Sequence, residues 1–249
     1  MNKKIVAIIP ARYGSSRFEG KPLAKIDGHT MVEWVARRVA KSTLIDEVIV
    51  ALDDVRVEAA CKEAGIRYIM TRSTHATSTE RLNEVADKVE ADLYIAVNGD
   101  EPLIDPKMVE KVIPESWPTS LPYAANLTSK MTTPSEVVDP SNIKVVWRVD
   151  GHAVYFSRNP IPYPKGSLDF DYYKHIGVIA YNREALRFFA RTARGPVEQA
   201  EDINELRFIE HGVPLKMIVV EAGQGLSIDT PKDLEKVRKL VREKQIRLS

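Results

Sequence analysis

Short apolar runs alternate with amphipathic segments in the N-terminal part of the chain, and this alternation restricts the folds that the chain can form. Four apolar runs have the length of buried strands: 5–9, 48–52, 66–70 and 93–97. Three segments between them repeat apolar residues at three- and four-residue spacing, which predicts helices: 31–40, 55–64 and 80–89. Strands and helices in alternating order predict an α/β fold with a mostly parallel sheet flanked by helices.

The pattern changes between about residues 114 and 174, where prolines are frequent. An apolar run at 143–149 within this range is typical of a hairpin strand or an edge strand. We therefore predict a single Rossmann-like domain over residues 1–249, with a smaller β-containing lobe at about 114–174.

Helices return after the predicted lobe, at 183–193, at 202–211 and from Pro231 onward. The last of them has a defined start. Thr230 has the residue type of an N-cap, Pro231 suits the first turn, and Asp233 is placed to complete a capping box.

The charges of the chain nearly cancel, since 36 lysines and arginines stand against 35 aspartates and glutamates and leave a net charge of +1. This balance excludes a broad basic surface, so we expect neither a nucleic acid nor a membrane as partner. The single cysteine, Cys61, excludes an internal disulfide and is typical of a reducing compartment. The apolar run near the N-terminus stops at Pro10, too early for a membrane span, and we expect a cytoplasmic protein.

A cationic loop follows the first predicted strand and carries Arg12, Gly14, Ser15, Ser16, Arg17 and Lys21. Backbone N–H groups of such a loop can point at an anion while its cations neutralise the charge, which predicts a phosphate site. The Walker P-loop is excluded because five residues separate Gly14 from Gly20 and Pro22 follows Lys21. The dinucleotide-binding G-x-G-x-x-G pattern is also missing from the sequence. An ordinary strand-to-helix loop with solvated cations is the alternative.

The segment 8–23 as a whole resembles the signature loop of the CMP-Kdo synthetases, the 3-deoxy-manno-octulosonate (Kdo) cytidylyltransferases. Six further motifs occur in that family's order and at about its spacing: Met70-Thr-Arg72, Thr79-Glu-Arg-Leu82, Gly99-Asp-Glu-Pro102, Tyr155-Phe-Ser-Arg-Asn-Pro-Ile-Pro-Tyr163, Lys174-His-Ile-Gly177 and Asp229-Thr-Pro231. The resemblance implies transfer of CMP from CTP to Kdo or a closely related acidic sugar, with release of pyrophosphate, for lipopolysaccharide or capsule synthesis. It also implies a homodimer formed through the smaller lobe.

Asp100 and Asp229 are the expected metal ligands, because the resemblance assigns magnesium to these positions. Each aspartate lies just after an apolar strand or at a loop end, and carboxylate oxygens suit a magnesium ion that also holds substrate phosphates. The residue types alone leave alternatives open. Asp229 could be a helix-capping acid before Thr230, and Asp100 could be a turn former.

The resemblance places CTP against the cationic loop and the start of the third predicted helix. The nucleotide-binding positions it implies are Ala11, Arg12, Gly14, Ser15, Ser16, Lys21, Arg72, Ser78 and Thr79, and the catalytic ones are Arg12, Arg17, Lys21 and Asp100. Family members usually have Ser-Gly-Thr where this chain has Thr77-Ser-Thr79, so Ser78 adds a side chain where backbone would approach the nucleotide. For Arg72, an exposed arginine at a strand end is the alternative.

The acceptor site implied by the resemblance departs from the family's pattern; its residues are Asn98, Arg158, His175, Asn204 and Glu205. Asn98 stands where a glutamine is usual. Asn204 and Glu205 reverse the acid and amide of Leu-Glu-Gln-Leu-Arg, and Ile179 replaces a tyrosine. Arg158 and His175 suit the carboxylate and the hydroxyls of an acidic sugar. We expect Kdo or a close relative, such as an amino-Kdo, as the acceptor.

Two alternative functions stay open at this point. The enzyme could act on a different acceptor, either a sugar 1-phosphate or a non-sugar acid, because the departures lie on the acceptor side. The chain could also be a catalytically inactive nucleotide-binding relative. Retention of the cations and of both aspartates argues against loss of activity.

Overall fold

The computed structural model describes residues 3–14, 18–117, 121–167, 169–221 and 226–248. The strands are β1 Ile5–Ala11, β2 Lys25–Ile26, β3 His29–Thr30, β4 Glu47–Leu52, β5 Tyr68–Met70, β6 Leu93–Val97, β7 Ala124–Lys130, β8 Lys144–Trp147, β9 Ala153–Ser157, β10 Tyr173–Tyr181 and β11 Leu215–Val220. The helices are α1 Met31–Val39, α2 Val55–Glu63, α3 Ser78–Lys88, α4 Pro106–Glu110, α5 Pro134–Val138, α6 Arg183–Arg191, α7 Pro196–Glu201, α8 Leu206–Glu210 and α9 Pro231–Glu243. Within the described ranges, no helix combines the length and the hydropathy that crossing a bilayer requires.

A mixed sheet forms the centre of the protein, in the strand order β11-β7-β10-β6-β1-β4-β5. Strands β6, β1, β4 and β5 are parallel neighbours, and β11 is parallel to β7. Strand β10 runs antiparallel to both of its neighbours, β6 and β7. The predicted α/β fold with a mostly parallel sheet is confirmed, and the four strands predicted in the N-terminal part are the four contiguous parallel ones.

The side chains of β1 alternate between two apolar cores, as a strand buried on both faces requires. Ile5, Ala7 and Ile9 pack in one core with residues of α1 and α2. Val6 and Ile8 pack in the other core with residues of α3 and α6. Burial of apolar surface on both faces holds these helices against the sheet.

Two threonine N-caps define the starts of helices near the edge where the parallel strands end. The Thr77 side chain accepts a hydrogen bond from the backbone N–H of Glu80 at the start of α3. Thr230 and Asp233 form a capping box at the start of α9, and Pro231 occupies its first turn. The predicted start of the last helix is therefore confirmed.

The predicted helix at 202–211 is wrong in its first half. Helix α7 ends before Asp202, whose φ of 53° is left-handed, and α8 begins only at Leu206. Aspartate tolerates this backbone conformation better than most residues, so hydrophobic spacing alone could not reveal the break. The other helices and strands that we predict differ from the observed ones by at most two residues at either end.

Strand β7 belongs to the central sheet although it falls within the range 114–174 that we predict as a smaller lobe. Strands β8 and β9 form an antiparallel hairpin, which confirms the strand predicted at 143–149, and β8 joins the sheet through β10. The division into a domain and a lobe, and the role of the lobe in a dimer, stay predictions.

An interior ion pair joins α8 to α7. Arg207 Nε lies 2.7 Å from Glu198 Oε2, and Nη2 lies 2.6 Å from Oε1. The Arg207 and Glu198 side chains are 2% and 0% exposed. Arg207 Nη1 also donates to the carbonyls of Phe189 and Thr192. Removing one partner of such a pair leaves the other charge in the interior without its bidentate ion pair.

We expect Arg207→Ala to lower the free energy of unfolding by about 3 kcal/mol, because the buried Glu198 carboxylate loses its bidentate partner and keeps only Arg194, whose Nε lies 3.2 Å from Glu198 Oε1. Urea denaturation followed by circular dichroism measures this loss. Arg187→Ala is the matched control, since Arg187 is 52% exposed and lies 3.9 Å from Glu184. The control should lose less than about 1 kcal/mol. Equal losses in the two variants would contradict a structural role for the interior pair.

Candidate active site

The parallel strands end at one edge of the sheet, where a cavity of about 410 Å³ opens. Ala11 at the end of β1 pairs in register with Leu52 of β4, which pairs with Met70 of β5. The carboxyl edge of a parallel sheet is where ligands bind in α/β proteins. Eight of the predicted site residues line this first cavity: Ala11, Arg12, Lys21, Ser78, Asn98, Asp100, Arg158 and Asn204.

A second cavity, of about 150 Å³, adjoins the first and shares Ser78, Asn98 and Asn204 with it. Three more of the predicted residues line this second cavity: Thr79, His175 and Glu205. Residues predicted for the nucleotide and for the acceptor therefore occupy two neighbouring cavities with a common wall.

The remaining predicted residues include some that the structure describes and some that it does not. Gly14 and Arg72 line neither of these two cavities. The Arg72 side chain is 73% exposed, and its backbone N–H donates to Glu84 Oε2 over 3.0 Å, as expected of an exposed arginine at a strand end. Ser15, Ser16 and Arg17 fall outside the described residues. Asp229 also lines neither cavity, and the roles that we predict for all of the site residues stay predictions.

Lys21 brings the two predicted metal ligands together. Its Nζ lies 2.8 Å from Asp100 Oδ2 and 3.7 Å from Asp229 Oδ1. Nζ also donates to the carbonyl of Ile228 over 3.0 Å, and the Ile228 backbone N–H donates to the Asp100 carbonyl over 2.9 Å. These contacts hold the segment before α9 against the turn after β6. Thr230 is the N-cap of α9, so the alternative role of Asp229 as the capping residue is excluded.

Two glycines allow the backbone to reach this arrangement. Gly99 packs against β1 so closely that a Cβ atom there would lie 2.9 Å from the Pro10 carbonyl oxygen, and the approach places Asp100 beside the cationic loop. Gly20 has a φ of 68°, a left-handed conformation that glycine adopts at low cost. The turn at Gly20 directs the chain into Lys21, which begins a short 3-10 helix.

The carboxylates of Asp100 and Asp229 have the donor chemistry that a magnesium ion requires. Asp100 Oδ1 is buried and has no hydrogen-bond partner among the described residues, so it can accept a ligand. No group of three or more His, Cys, Asp or Glu side chains suited to a metal occurs in the described ranges. Two carboxylates fit magnesium bound to a substrate, because this ion commonly takes its other oxygens from phosphates and water.

Glu101 lies behind Asp100 and is a residue that the sequence motifs did not single out for the site. It is 4% exposed, and its Oε1 accepts a hydrogen bond from the Gly177 backbone N–H over 3.2 Å. Burial and the neighbouring charge of Asp100 raise the pKa of Glu101 to about 7. The carboxyl of Glu101 thus adds less negative charge beside Asp100 than an ordinary glutamate would.

A buried network fixes the start of the cationic loop, and its residues too were missed. Asp53 accepts hydrogen bonds from the Tyr13 backbone N–H over 3.2 Å and from Arg81 Nη2 over 2.7 Å. Arg81 also donates to the Thr71 hydroxyl, which donates to the Leu52 carbonyl. Arg81 is 4% exposed and lines the first cavity. Arg81 belongs to the motif Thr79-Glu-Arg-Leu82, but we assigned it no role, and its arginine interrupts the apolar face of α3.

His75 lines the first cavity and was missed as well. Its Nε2 lies 2.6 Å from Glu84 Oε2, and the same carboxylate accepts from the Arg72 backbone N–H. Glu84 thereby holds the connection between β5 and α3 on the nucleotide side of the cavity. The sequence contained no periodic signal for His75, because it lies in an irregular connection.

His175 lies in the wall of the second cavity, in surroundings that favour the neutral imidazole. Burial lowers its pKa below the usual value, and the charges of Glu205 and Asp100 offset only part of this effect. Asn126 Nδ2 donates to the carbonyls of Ile176 and Val178, so Asn126 Oδ1 must accept the hydrogen bond from His175 Nδ1, 2.8 Å away. This assignment places the proton on Nδ1 and leaves Nε2 as a hydrogen-bond acceptor.

Arg158 supplies a positive charge at the wall of the first cavity. Its guanidinium donates to the main-chain carbonyls of Glu201, Pro140 and Asp202. Carbonyl groups orient the guanidinium but carry no formal charge. The Glu201 carboxylate, which accepts from the Arg158 backbone N–H over 2.9 Å, offsets part of the arginine's charge and leaves the remainder. Arg158 is therefore held in place with this remaining charge available to an anionic ligand.

Comparisons with known proteins identify the family of the chain. The family model described as Cytidylyltransferase matches residues 6–218. A 3-deoxy-manno-octulosonate cytidylyltransferase of Escherichia coli is 42% identical over 238 residues, covering 96% of this chain and 96% of that protein. One of Geobacter metallireducens is 42% identical over 247 residues, covering 94% of this chain and 96% of that protein. A solved structure of CMP:2-keto-3-deoxy-manno-octonic acid synthetase complexed with CTP matches with a TM-score of 0.87 at 42% identity, covering 97% of this chain and 99% of that one.

The chain belongs to the cytidylyltransferase family, since the family model matches most of its length. Within that family, its similarity to the Kdo cytidylyltransferases extends over nearly the full length of both chains. The resemblance stated from the sequence motifs is thereby confirmed.

Proposed function

We propose that this protein transfers CMP from CTP to Kdo, or to a closely related acidic sugar such as an amino-Kdo, and releases pyrophosphate. The observation that carries the proposal is the contact of Lys21 with both Asp100 and Asp229 at the cavity into which Arg12 projects from the end of β1. Relatives that are named for this reaction cover nearly the whole chain and support the choice of substrates.

The nucleotide side of the site binds the triphosphate by charge. Arg12 and Lys21 line the first cavity, and Arg17 lies between them in the sequence of the same loop. Nucleotidyl transfer requires little covalent participation by protein groups, so neutralising phosphate charge and aligning the reactants account for most of the catalysis. The Asp53–Arg81 network holds the start of this loop and so preorganises its cations.

Asp100 and Asp229 would hold magnesium in this proposal. The bound ion would neutralise charge on the phosphate oxygens as the transfer proceeds. Lys21 contacts both carboxylates and limits their mutual repulsion. The same lysine lines the cavity, where its ammonium can contact a phosphate.

The acceptor side binds an acidic sugar through a fixed cation and a set of polar groups. Arg158 is available for the carboxylate of the sugar, and His175 Nε2 can accept a hydrogen bond from one of its hydroxyls. The hydroxyl oxygen of the acceptor then forms a bond to the α-phosphorus of CTP while the bond from this phosphorus to the bridging oxygen breaks. Pyrophosphate leaves with the electron pair, and the hydroxyl proton passes to solvent.

Several further features belong to the proposal. We infer a homodimer formed through the smaller lobe, a cytoplasmic location, and use of the product in lipopolysaccharide or capsule synthesis. Apolar side chains of the lobe that are open to solvent, among them Val138 and Phe170 at 69% and 44% exposure, support assembly through this region.

We expect Asp100→Asn and Asp229→Asn each to reduce magnesium-dependent pyrophosphate release by at least about 100-fold, because a neutral amide is a poor magnesium ligand. Initial rates over a magnesium titration measure the effect, and circular dichroism checks that the variants fold. Asp105→Asn is the control. Asp105 caps α4, and asparagine caps helices equally well, so its rate should stay near wild type. A variant at Asp100 or Asp229 that keeps ordinary activity would remove that residue from the metal site.

A panel of nucleotides and acceptors tests which pair of substrates the enzyme uses. Pyrophosphate release is measured with each of CTP, UTP, ATP and GTP against Kdo, an amino-Kdo, other ulosonic acids and a sugar 1-phosphate. We expect CTP with Kdo or amino-Kdo to give the highest kcat/KM, because the chain is similar to 3-deoxy-manno-octulosonate cytidylyltransferases over nearly its full length. A higher kcat/KM with the sugar 1-phosphate would overturn the proposed acceptor class, and absence of turnover with every pair would show an inactive relative.

A further inference from the structure

Helix α7 ends in a left-handed turn at Asp202, and this turn lies beside both cavities. The Asp202 backbone N–H still donates to the Glu198 carbonyl over 2.9 Å, and the φ of 53° and ψ of 51° at Asp202 then turn the chain out of the helix. Asp202 lines the first cavity and the second cavity alike. Left-handed backbone is costly for residues with a Cβ atom, but aspartate and asparagine adopt it more readily than alanine does. The residue type at position 202 therefore suits the backbone there.

The turn presents two consecutive carbonyl groups to the Arg158 guanidinium. Arg158 Nε lies 2.7 Å from the Glu201 carbonyl oxygen, and Nη2 lies 3.3 Å from the Asp202 carbonyl oxygen. Because peptide groups are planar, φ and ψ at Asp202 alone set the orientation of one of these carbonyls relative to the other. A change of these two angles would rotate the Asp202 carbonyl away from its position against the guanidinium. The left-handed turn is therefore what allows Arg158 to contact both carbonyls as it does.

The same turn begins the segment that forms part of the acceptor side. Ile203 is 2% exposed and packs in the core on the α3 and α6 face of the sheet. The next two residues, Asn204 and Glu205, line the second cavity. Since Ile203 anchors this segment in the core, the angles at Asp202 also fix where the guanidinium of Arg158 lies relative to these two polar side chains.

The carboxylate of Asp202 contributes little to this arrangement. The Asp202 side chain is 80% exposed, and its Oδ1 lies 2.9 Å from Nη2 of Arg194, whose side chain is 33% exposed. An ion pair so open to solvent stabilises only weakly. The backbone conformation of Asp202, rather than its charge, is therefore the property on which the position of Arg158 depends.

We infer that Asp202 is a positioning residue, whose left-handed backbone holds the Arg158 guanidinium where it binds the acidic group of the acceptor. The inference rests on the proposed function, in which Arg158 binds the carboxylate of the acidic sugar. Because Asp202 acts through Arg158, the affinity for the acceptor should respond to the backbone at position 202 more than the affinity for CTP does.

Three substitutions at Asp202 separate conformation from charge. Acceptor KM is measured at saturating CTP, with the acidic sugar that the wild type uses best, and CTP is varied in a separate series. We expect Asp202→Ala to raise the acceptor KM about 5-fold or more, the scale of the left-handed backbone's cost for alanine, with smaller changes in kcat and in the KM for CTP. The conservative variants Asp202→Asn and Asp202→Gly remove the charge but accept the conformation, so their acceptor KM should stay within about 2-fold of wild type.

Asp27→Ala is the matched control. Asp27 is also an exposed aspartate with a left-handed φ, of 47°, and it lies in the turn between β2 and β3. Alanine there has a similar backbone cost, but Asp27 lines neither cavity. The acceptor KM of this variant should therefore equal that of the wild type, even if its thermal unfolding midpoint falls.

Arg158→Lys gives a second test, because lysine keeps the positive charge but has no guanidinium to contact the two carbonyls. If Asp202 acts through Arg158, adding Asp202→Ala to the Arg158→Lys variant should change the acceptor KM by less than about 2-fold. Thermal unfolding midpoints are measured for every variant.

Three results would overturn the inference. The first is an Asp202→Ala variant with a lowered midpoint and an unchanged acceptor KM, which would make the turn purely structural. The second is an equal rise of KM in the asparagine and glycine variants, and the third is an undiminished effect in the Arg158→Lys background. A wild type without turnover on any acidic sugar would instead overturn the proposed function, so the two failures are distinguishable.

Discussion

Parallel pairing of β1 with β4 and β6 is the constraint on which the candidate site depends. Because parallel strands run in the same direction, the loop after β1 and the turn after β6 must emerge at the same edge of the sheet. That common edge brings Lys21 to Asp100, although 79 positions separate them in the chain. The apolar side chains of β1 pack on both faces of the sheet, so a slip in its register would expose one core and displace the loop.

Antiparallel β10 supplies part of the wall of the second cavity, including His175 and Ile179. Its register with β7 shifts between His175 and Ile179, and the Asn126 side chain of β7 donates to the Ile176 and Val178 carbonyls at this irregularity. The same amide orients the His175 ring. The irregular pairing of β10 with β7 therefore contributes to the site. The Asn126 amide, which satisfies the backbone carbonyls there, also sets the tautomer of His175 in the cavity wall.

Regular elements with strong patterns were predictable from the sequence. Strand β6 agrees with the prediction to the residue, because 93–97 is an unbroken apolar run that is buried along its whole length. The start of α9 was equally predictable, since Thr230 and Asp233 are a local signal that needs no tertiary contact. Strand β7 was not predicted as part of the sheet. It buries polar side chains such as Asn126, whose hydrogen bonds come from distant residues that hydrophobic spacing cannot reveal.

For the site residues too, local sequence signals were readable from the sequence, whereas contacts between distant residues were not. The cationic loop and the two aspartates were accessible because motifs carried them, and the structure brings Lys21, Asp100 and Asp229 into contact. The supporting roles of Asp53, Arg81 and Glu101 were not accessible, although Arg81 and Glu101 lie within two of the motifs. A buried charge in a helix or a turn has the same local spacing as an exposed one, and only its distant partners distinguish the two cases.

Charge balance explains why a lysine is the residue between the two aspartates. Asp100 and Asp229 are both about three-quarters buried, at 21% and 28% side-chain exposure, and two carboxylates so placed repel each other. The Lys21 ammonium contacts both carboxylates and reduces the repulsion between them. The flexible four-carbon side chain of a lysine also lets the ammonium move when a phosphate binds. A guanidinium held in a bidentate contact would move less readily. Glu101 behind them, with its pKa raised to about 7, adds little further negative charge below that pH. One ammonium against the two carboxylates thus reduces the negative charge at this edge of the sheet, and Glu101 adds little to it.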